Sequence, residues 1–406
     1  MPFPSARERY ASPGVRALSF LVVSTIAHAL LARWVLSVSP AARARRRLVI
    51  ATAAVLSVLL AAMRVLGWWI RARWFQGVTT IFLVELAIVV VALVPLGLVA
   101  ATARAASRVV DAVEPPTGEA EKAERVSRRE AIERMAGVAA LGATGAVLGW
   151  GIVRGRHAFE IEEVEVRIPG WPRALDGYVI AQVSDVHVGP WVGERELDEG
   201  FEVVRRVRPD LVVATGDLVD SSAAAIDPLL ARLVGVGARD GAYVILGNHD
   251  HYAHPDRVAA RIVASPVKLL ANEAVRIRAG DGGGFALVGV DDLSARRRPR
   301  SMRHTGPDLG RALAGVAPDL PRILLAHQPI YFREAQGRVA LQLSGHTHGG
   351  QINPGVAPVK ALMEFVAGRY ERAGSTLWVN RGFGVVGPPA RVGAPPEVTK
   401  IVLVAA

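Results

Sequence analysis

Cysteine is absent from this chain, which excludes disulfides, thiolate metal sites and cysteine nucleophiles. Net charge is nearly absent from its second part: residues 155–406 carry 29 Lys+Arg against 28 Asp+Glu, whereas residues 1–154 carry 19 against 9. The formal net charge of +11 therefore splits as +10 and +1. A basic excess confined to the flanks of apolar segments reflects membrane topology. It argues against nucleic-acid binding, because the part able to hold such a site is close to neutral. No small-residue cleavage site is evident near residue 155, so an uncleaved anchor is expected.

What is abundant is apolar surface. Hydrophobic residues make up 51% of 406 and the mean hydropathy is +0.29, high for a wholly soluble protein. Within residues 1–103, three stretches at about 17–38, 48–70 and 77–100 reach the roughly 20 residues that span a bilayer. A fourth, 135–154, is rich in Gly and Ala. Between them, residues 104–134, with EPPTGEAEKAE in the middle, read as a solvated polar linker. Arg64 and Glu85 fall inside the second and third spans, where ionisable side chains are costly. A helical hairpin sets them at similar depth, so a buried structural pair is expected, with a proton or ion path as the alternative.

Lys and Arg are retained on the cytoplasmic side of short loops. The loop 41–47 holds four and the segment 104–134 seven, against three in the N-terminal tail, two in RARWFQG and two after the fourth span. This bias places those two segments inside and everything after residue 154 outside the cytoplasm. SRREAIERM, with Arg128 and Arg129 before an apolar run, is similar to a twin-arginine export signal, though Ala131 stands where an aromatic is usual. The basic flank of an ordinary helix is the other reading.

From about 155 to 406 the pattern becomes short β-rich runs (EVEVRI, GYVIAQVS, LVVATG, AYVILG, FALVGV, ILLAH, VALQLS, TLWVN, KIVLV). Helical stretches intervene near 194–207, 222–236, 254–264 and 307–315. The alternation predicts a layered α/β domain with a largely buried sheet. Nine of the ten histidines lie in this part, most of them just after strands, where such domains place ligands. The runs lead into Asp185 and His187, into Asp217, into Asn248, His249, Asp250 and His251, into His327, and into His346 and His348. Such nitrogen and oxygen donors without sulfur suit two divalent ions of the Mn, Fe, Zn or Mg type. Glycines beside them, among them Gly216, Gly247 and Gly345, let the backbone turn and approach closely.

In order, D-x-H, G-D, G-N-H-D, H and G-H-x-H resemble the signature of the calcineurin-like metallophosphoesterases, over about residues 176–404. The resemblance implies a four-layer αββα sandwich behind an N-terminal α-helical transmembrane bundle. It implies that Asp185, His187 and His348 hold one ion, that Asn248, His327 and His346 hold the other, and that Asp217 bridges them. The ions would share a water, lower its pKa and aim it at phosphorus. His249 would stabilise the transition state or protonate the leaving oxygen, with Asp250 orienting it; the alternative is that His249 only supports the neighbouring ligands. His251 and His254 either border the phosphate or lie in a solvated loop.

The run from GHTHGGQINP to PPEVTKIVLV is similar to membrane-associated bacterial phosphodiesterases related to UDP-2,3-diacylglucosamine pyrophosphatases. The resemblance implies a phosphodiester or lipid-linked phosphate substrate of the cell envelope. That lipid A step is cytoplasmic, whereas the charge bias puts this domain outside, which disfavours that particular substrate. Arg296, Arg297, Arg298, Arg300 and Arg303 form a basic loop that attracts phosphate or anionic headgroups or is simply solvated. VKALMEFVAGRY (359–370) either dips into the interface or is a core helix. A catalytically silent metal-binding sensor or scaffold is the competing functional class.

Overall fold

Apolar runs too long for a globular core become long helices. The computed structural model describes residues 13–66, 73–278, 283–297, 301–353 and 363–406, and the chain divides into two units, 1–150 and 151–406. The first unit is helical: α1 (Pro13–Val38), α2 (Pro40–Ala44), α3 (Arg46–Leu66), α4 (Arg73–Val113) and α5 (Glu119–Val153, ending just past the unit boundary). Among the described residues, four helices are long and apolar enough to cross a membrane. Ala27, Leu60, Leu86 and Val89 are buried together. Large apolar side chains such as Val94 and Leu98 face outward, as lipid-facing positions do.

The polar segment between the third and fourth spans is more regular than expected. The segment 104–134 is helical, with only 114–118 between α4 and α5. Its Ala, Glu, Lys and Arg content favours helix. Ion pairs one turn apart, Arg125 with Glu121 at 2.6 Å and Arg128 with Glu124 at 2.5 Å, reinforce it. Arg125 also reaches Asp111 at 3.2 Å, linking the two helices. The twin arginines thus sit within a formed helix. At 41 residues α4 is about 60 Å long, twice the length that a hydrocarbon core of about 30 Å requires. The Arg64 side chain lies outside the described residues. Glu85 Oε1 lies 3.0 Å from His28 Nε2 on α1.

The second unit contains two six-stranded sheets. The strands are β1 (Glu160–Ile168), β2 (Tyr178–Val183), β3 (Leu211–Thr215), β4 (Ala242–Ile245), β5 (Lys268–Leu269), β6 (Glu273–Ile277), β7 (Phe285–Gly289), β8 (Arg322–Leu325), β9 (Leu341–Ser344), β10 (Gly368–Arg372), β11 (Ser375–Val379) and β12 (Glu397–Ala405). Their orders are β1-β12-β2-β3-β4-β5 and β10-β11-β9-β8-β7-β6. β2, β3 and β4 run parallel in the first sheet, as do β7, β8 and β9 in the second.

Period-two alternation explains the layering. Ile180, Leu211, Val213, Tyr243 and Ile245 point to an inner core shared with Leu287, Ile323, Leu325, Leu341 and Leu343 of the other sheet. The intervening Ala181, Val183, Val212, Ala214 and Val244 pack outward beneath α6 (Glu194–Val207), α7 (Asp227–Gly235) and α9 (Pro255–Val263). Behind the second sheet, Val288 and Leu324 pack with Leu309 and Ala312 of α11 (Leu309–Ala312). The result is the expected αββα sandwich, in which strands covered on both faces read as unbroken apolar runs. In the 359–370 segment, Phe365 and Val366 are buried, and Phe365 packs with Phe332, Leu377 and Val379, which favours core over membrane contact.

Phe201 on α6 is fully buried against Phe383. Phe201→Ala is expected to cost about 3–5 kcal/mol, read as a lower thermal unfolding midpoint of the second unit in the intact protein.

Candidate metal centre

The carboxyl ends of the parallel strands of both sheets converge at one edge of the sandwich. Buried polar contacts hold them together. Gln182 Nε2, at the end of β2, donates to Thr215 Oγ1 and to Ser344 O, both at 3.0 Å, so one amide spans both sheets. His346 N donates to the Asp185 carboxylate at 2.9 Å, and the His327 Nδ1–H donates to Thr215 O at 2.8 Å. That last bond leaves His327 Nε2 facing inward.

The loops turn sharply where the sequence placed donors. Asp185, His187, Asp217, His346 and His348 all adopt positive φ, between 51° and 73°, a region that side-chain-bearing residues rarely occupy. Gly216 (φ +89°) makes this close approach possible: a Cβ there would stand 2.8 Å from both Gly247 N and His327 Nδ1. At Gly345 a Cβ would meet Ser184 Oγ at 1.9 Å and Asp185 Oδ2 at 2.1 Å.

Three overlapping groups of donors result, and one of them, His187, Asp217 and His249, links the other two. In one of those two, Asp185, His187 and His348 place donor atoms within 4.8 Å of one another. His187 Nε2 and His348 Nε2 are 3.1 Å apart, and His348 Nε2 is 3.5 Å from Asp185 Oδ1. In the other, Asp217, His327 and His346 converge. There His327 Nε2 lies 3.2 Å from His346 Nδ1, 3.2 Å from Asn248 Oδ1 and 3.3 Å from Asp217 Oδ2. Asp217 Oδ2 is also 3.6 Å from His187 Nε2, so one oxygen faces both groups.

Charge balance shows what such a cluster suits. Burial pushes His187 down to about 3 and His346 to about 4; burial and then His187 hold His348 well below its ordinary value. These rings are neutral and offer lone pairs. Burial raises Asp185 to about 6. Burial would also raise Asp217, but the His327 and His249 imidazoles outweigh it and hold its carboxyl well below the usual range. Facing lone pairs 3.1 Å apart repel unless a proton or cation lies between them. Two imidazole nitrogens each about 2.1 Å from one ion stand about 3–3.5 Å apart, so the residues fit divalent ions.

Not every expected residue does what its position suggested. His249 N donates to Asp217 Oδ1 at 2.7 Å, and its Nδ1–H donates to the Asp220 carbonyl at 2.7 Å. Asp250 does not orient it. The Asp250 carboxylate accepts from Gly247 N (2.8 Å), Val219 N (3.1 Å) and Leu218 N (3.2 Å), closing the turn at the start of α8 (Asn248–Tyr252). Burial and the Asp217 carboxylate raise it to about 7.

The substrate-facing expectations also change. His251 is buried, with Nε2 on Asp291 Oδ1 at 2.9 Å, and so does not border a phosphate. His254 is exposed, in a left-handed turn (φ 74°) before α9. The Arg296 guanidinium is committed to Glu334 at 2.9 and 3.2 Å and to the Pro307 carbonyl. The Arg297 side chain, Arg298 and Arg300 lie outside the described residues, and Arg303 is exposed.

Sequence reasoning missed two residues. Asp220 had only its place after D-L-V as a cue. Arg391, fully buried, donates to the carbonyls of Gly382, Gly384, Arg381 and Ala394, and its Nη2 stands 3.3 Å from His348 Nδ1. Its cue was a lone charge in GPPARVGAPP.

Burial alone would lower the His251 imidazole, but its hydrogen bond and charge contact with Asp291 hold it above its ordinary value. A raised histidine stabilises the fold fully below its unfolded pKa of about 6.5 and loses that contribution as pH rises through the folded value. Asp291→Asn is therefore expected to lower the unfolding midpoint more at pH 6 than at pH 9, measured by differential scanning fluorimetry at both pH values.

Residues 178–350 match the family model for calcineurin-like phosphoesterases. A transmembrane protein with metallophosphoesterase domain from Bos taurus is 37% identical over 268 residues, 63% of this chain and 60% of that protein. One of the same description from Danio rerio is 34% identical over 275 residues, 66% and 62% respectively. The chain thus spans about 60% of the length of these two relatives. An uncharacterized metallophosphoesterase from Bacillus subtilis is 31% identical over 293 residues, covering 69% of this chain and 98% of that protein. Matching nearly the full length of that bacterial relative, and carrying three overlapping Asp/His clusters, the chain belongs to the calcineurin-like metallophosphoesterase family.

Proposed function

We propose that this protein is a membrane-anchored, dinuclear metal-dependent phosphoesterase that hydrolyses a phosphodiester or pyrophosphate bond of a cell-envelope or lipid-linked substrate. The observation that carries the reading is the placement of Asp217 Oδ2 between two donor groups, 3.6 Å from His187 Nε2 and 3.3 Å from His327 Nε2. Asp185, His187 and His348 would hold one divalent ion, Asn248, His327 and His346 the other, and Asp217 would contact both. Bound ions would supply Lewis acidity, acidifying a water and neutralising phosphoryl oxygens.

The chain's own residues do the rest. The His327 and His249 Nδ1 hydrogen bonds to Thr215 O and Asp220 O fix both rings and leave Nε2 of each available. Burial would lower His249, but Asp217 and Asp220 draw it above its ordinary value. It is thereby suited to give a proton from Nε2 to the leaving oxygen. Arg391, whose Nη2 stands 3.3 Å from His348 Nδ1, keeps a positive charge beside the first donor group.

Asp217→Asn is expected to abolish hydrolysis of bis-p-nitrophenyl phosphate and to reduce bound metal measured by plasma mass spectrometry. His249→Ala is expected to retain metal while kcat falls about 10²–10⁴-fold. A silent scaffold would show no hydrolysis in the wild type and an unchanged cellular role in Asp217→Asn.

The catalytic domain, residues 155–406, is placed outside the cytoplasm and follows four spans, with 41–47 and 104–134 inside. The eleven basic residues of those two segments against seven on the other side support this arrangement. An alkaline phosphatase fusion after residue 406 is expected to be active in intact cells and a green fluorescent protein fusion there dark; the reverse pattern overturns the topology.

A further inference from the structure

A cavity wholly within the helical unit lies far along the chain from the metal centre. A groove of about 810 Å³ runs between α1 and α3. Its walls are Ala29 and Ala32 on one helix and Ala53, Ala54 and Ile50 on the other, so small side chains leave a trough where two spans would otherwise interlock. One end is strongly basic, lined by Arg33, Arg43 and Arg46.

These arginines are not equivalent. Arg43 pairs with Glu130 at 2.8 Å and donates to the Ser37 carbonyl at 2.8 Å at the end of α1. Arg33 and Arg46 are exposed and, among the described residues, have no carboxylate partner. Two guanidiniums with no carboxylate partner among the described residues, at the mouth of an apolar trough, favour a ligand with a phosphate at one end and a hydrocarbon tail at the other.

The dimensions point the same way. From Thr25 to Ser37 along α1 the groove covers about 18 Å at 1.5 Å per residue. One leaflet of a hydrocarbon core is about 15 Å deep. The trough therefore matches the acyl region of one leaflet, with the arginines at headgroup level. Basic pockets between spans on the cytoplasmic side are where anionic lipid headgroups bind, and Arg43 and Arg46 belong to the loop that the charge bias assigns to that side. We propose that this groove is a binding site for an anionic phospholipid, its phosphate held by Arg33 and Arg46 and one acyl chain lying between α1 and α3. The ligand is structural or regulatory, and the site is independent of the phosphoesterase reading.

The test uses the full-length protein in dodecyl maltoside, with native mass spectrometry and thermal unfolding in added dioleoylphosphatidylglycerol, dioleoylphosphatidylcholine or inorganic phosphate. One phosphatidylglycerol retained per chain, with no comparable retention of phosphatidylcholine, is expected. Arg33→Gln with Arg46→Gln is expected to weaken retention at least about tenfold, since each basic residue at an anionic surface contributes appreciably. Ala53→Phe, which fills the trough without altering charge, is expected to do the same. Arg45→Gln with Arg47→Gln, outside the groove lining, is the control and leaves retention unchanged. Equal loss in the control means generic surface charge and overturns the site. Stabilisation by inorganic phosphate alone, or a dimer that excludes phosphatidylglycerol, overturns the lipid as occupant.

Discussion

The centre depends on one constraint: two separate sheets must bring their strand ends to the same buried edge and hold them there. The Gln182 amide, reaching Thr215 and Ser344 at once, and the Asp185 carboxylate, accepting from His346 N, supply that hold. Buried polar groups stabilise only when paired, and here the pairing crosses the sheet interface. Loss of register in either sheet would leave these groups unpaired and scatter the donors.

The hold also supports strain. Each left-handed residue at a donor position costs about 1–3 kcal/mol, and five occur together. Neighbouring turns offset part of this: Asp185 N donates to Gly216 O, His187 N to Asp217 O and Gly345 N to His327 O, each at 3.0 Å. Ligands that bind the folded state alone add stability by mass action, so a metal centre in this position would strengthen the fold that presents it. Asp250 belongs to this support, because its three backbone donors stiffen the turn from which Asn248 and His249 project.

Where residue reading fell short, the reasons are physical. β5, β6 and β10 went unpredicted because they are short or exposed and lack the unbroken apolar runs of doubly covered strands. Residues 104–134 read as a solvated linker from their polarity, although their charges sit at helical spacing. Asp250 and His251 stand next to His249 in sequence, yet one helical turn sends them to the backbone and to Asp291. Asp220 and Arg391 are placed by loops whose paths no local pattern encodes.

Sequence alone determined that apolar runs would form helices long enough to cross a membrane, that alternating runs would form a doubly covered sandwich, and that histidines and carboxylates would cluster after strands. Those features are local: hydrophobic length, period and donor type are written residue by residue. Tertiary structure decided which donors face one another, because distances such as the 3.1 Å between His187 and His348 join residues far apart in the chain. It also decided that Asp220 rather than Asp250 orients His249, and that Arg33 and Arg46 meet at the mouth of one groove. Side-chain direction there depends on how separate elements pack, and packing is a property of the whole fold.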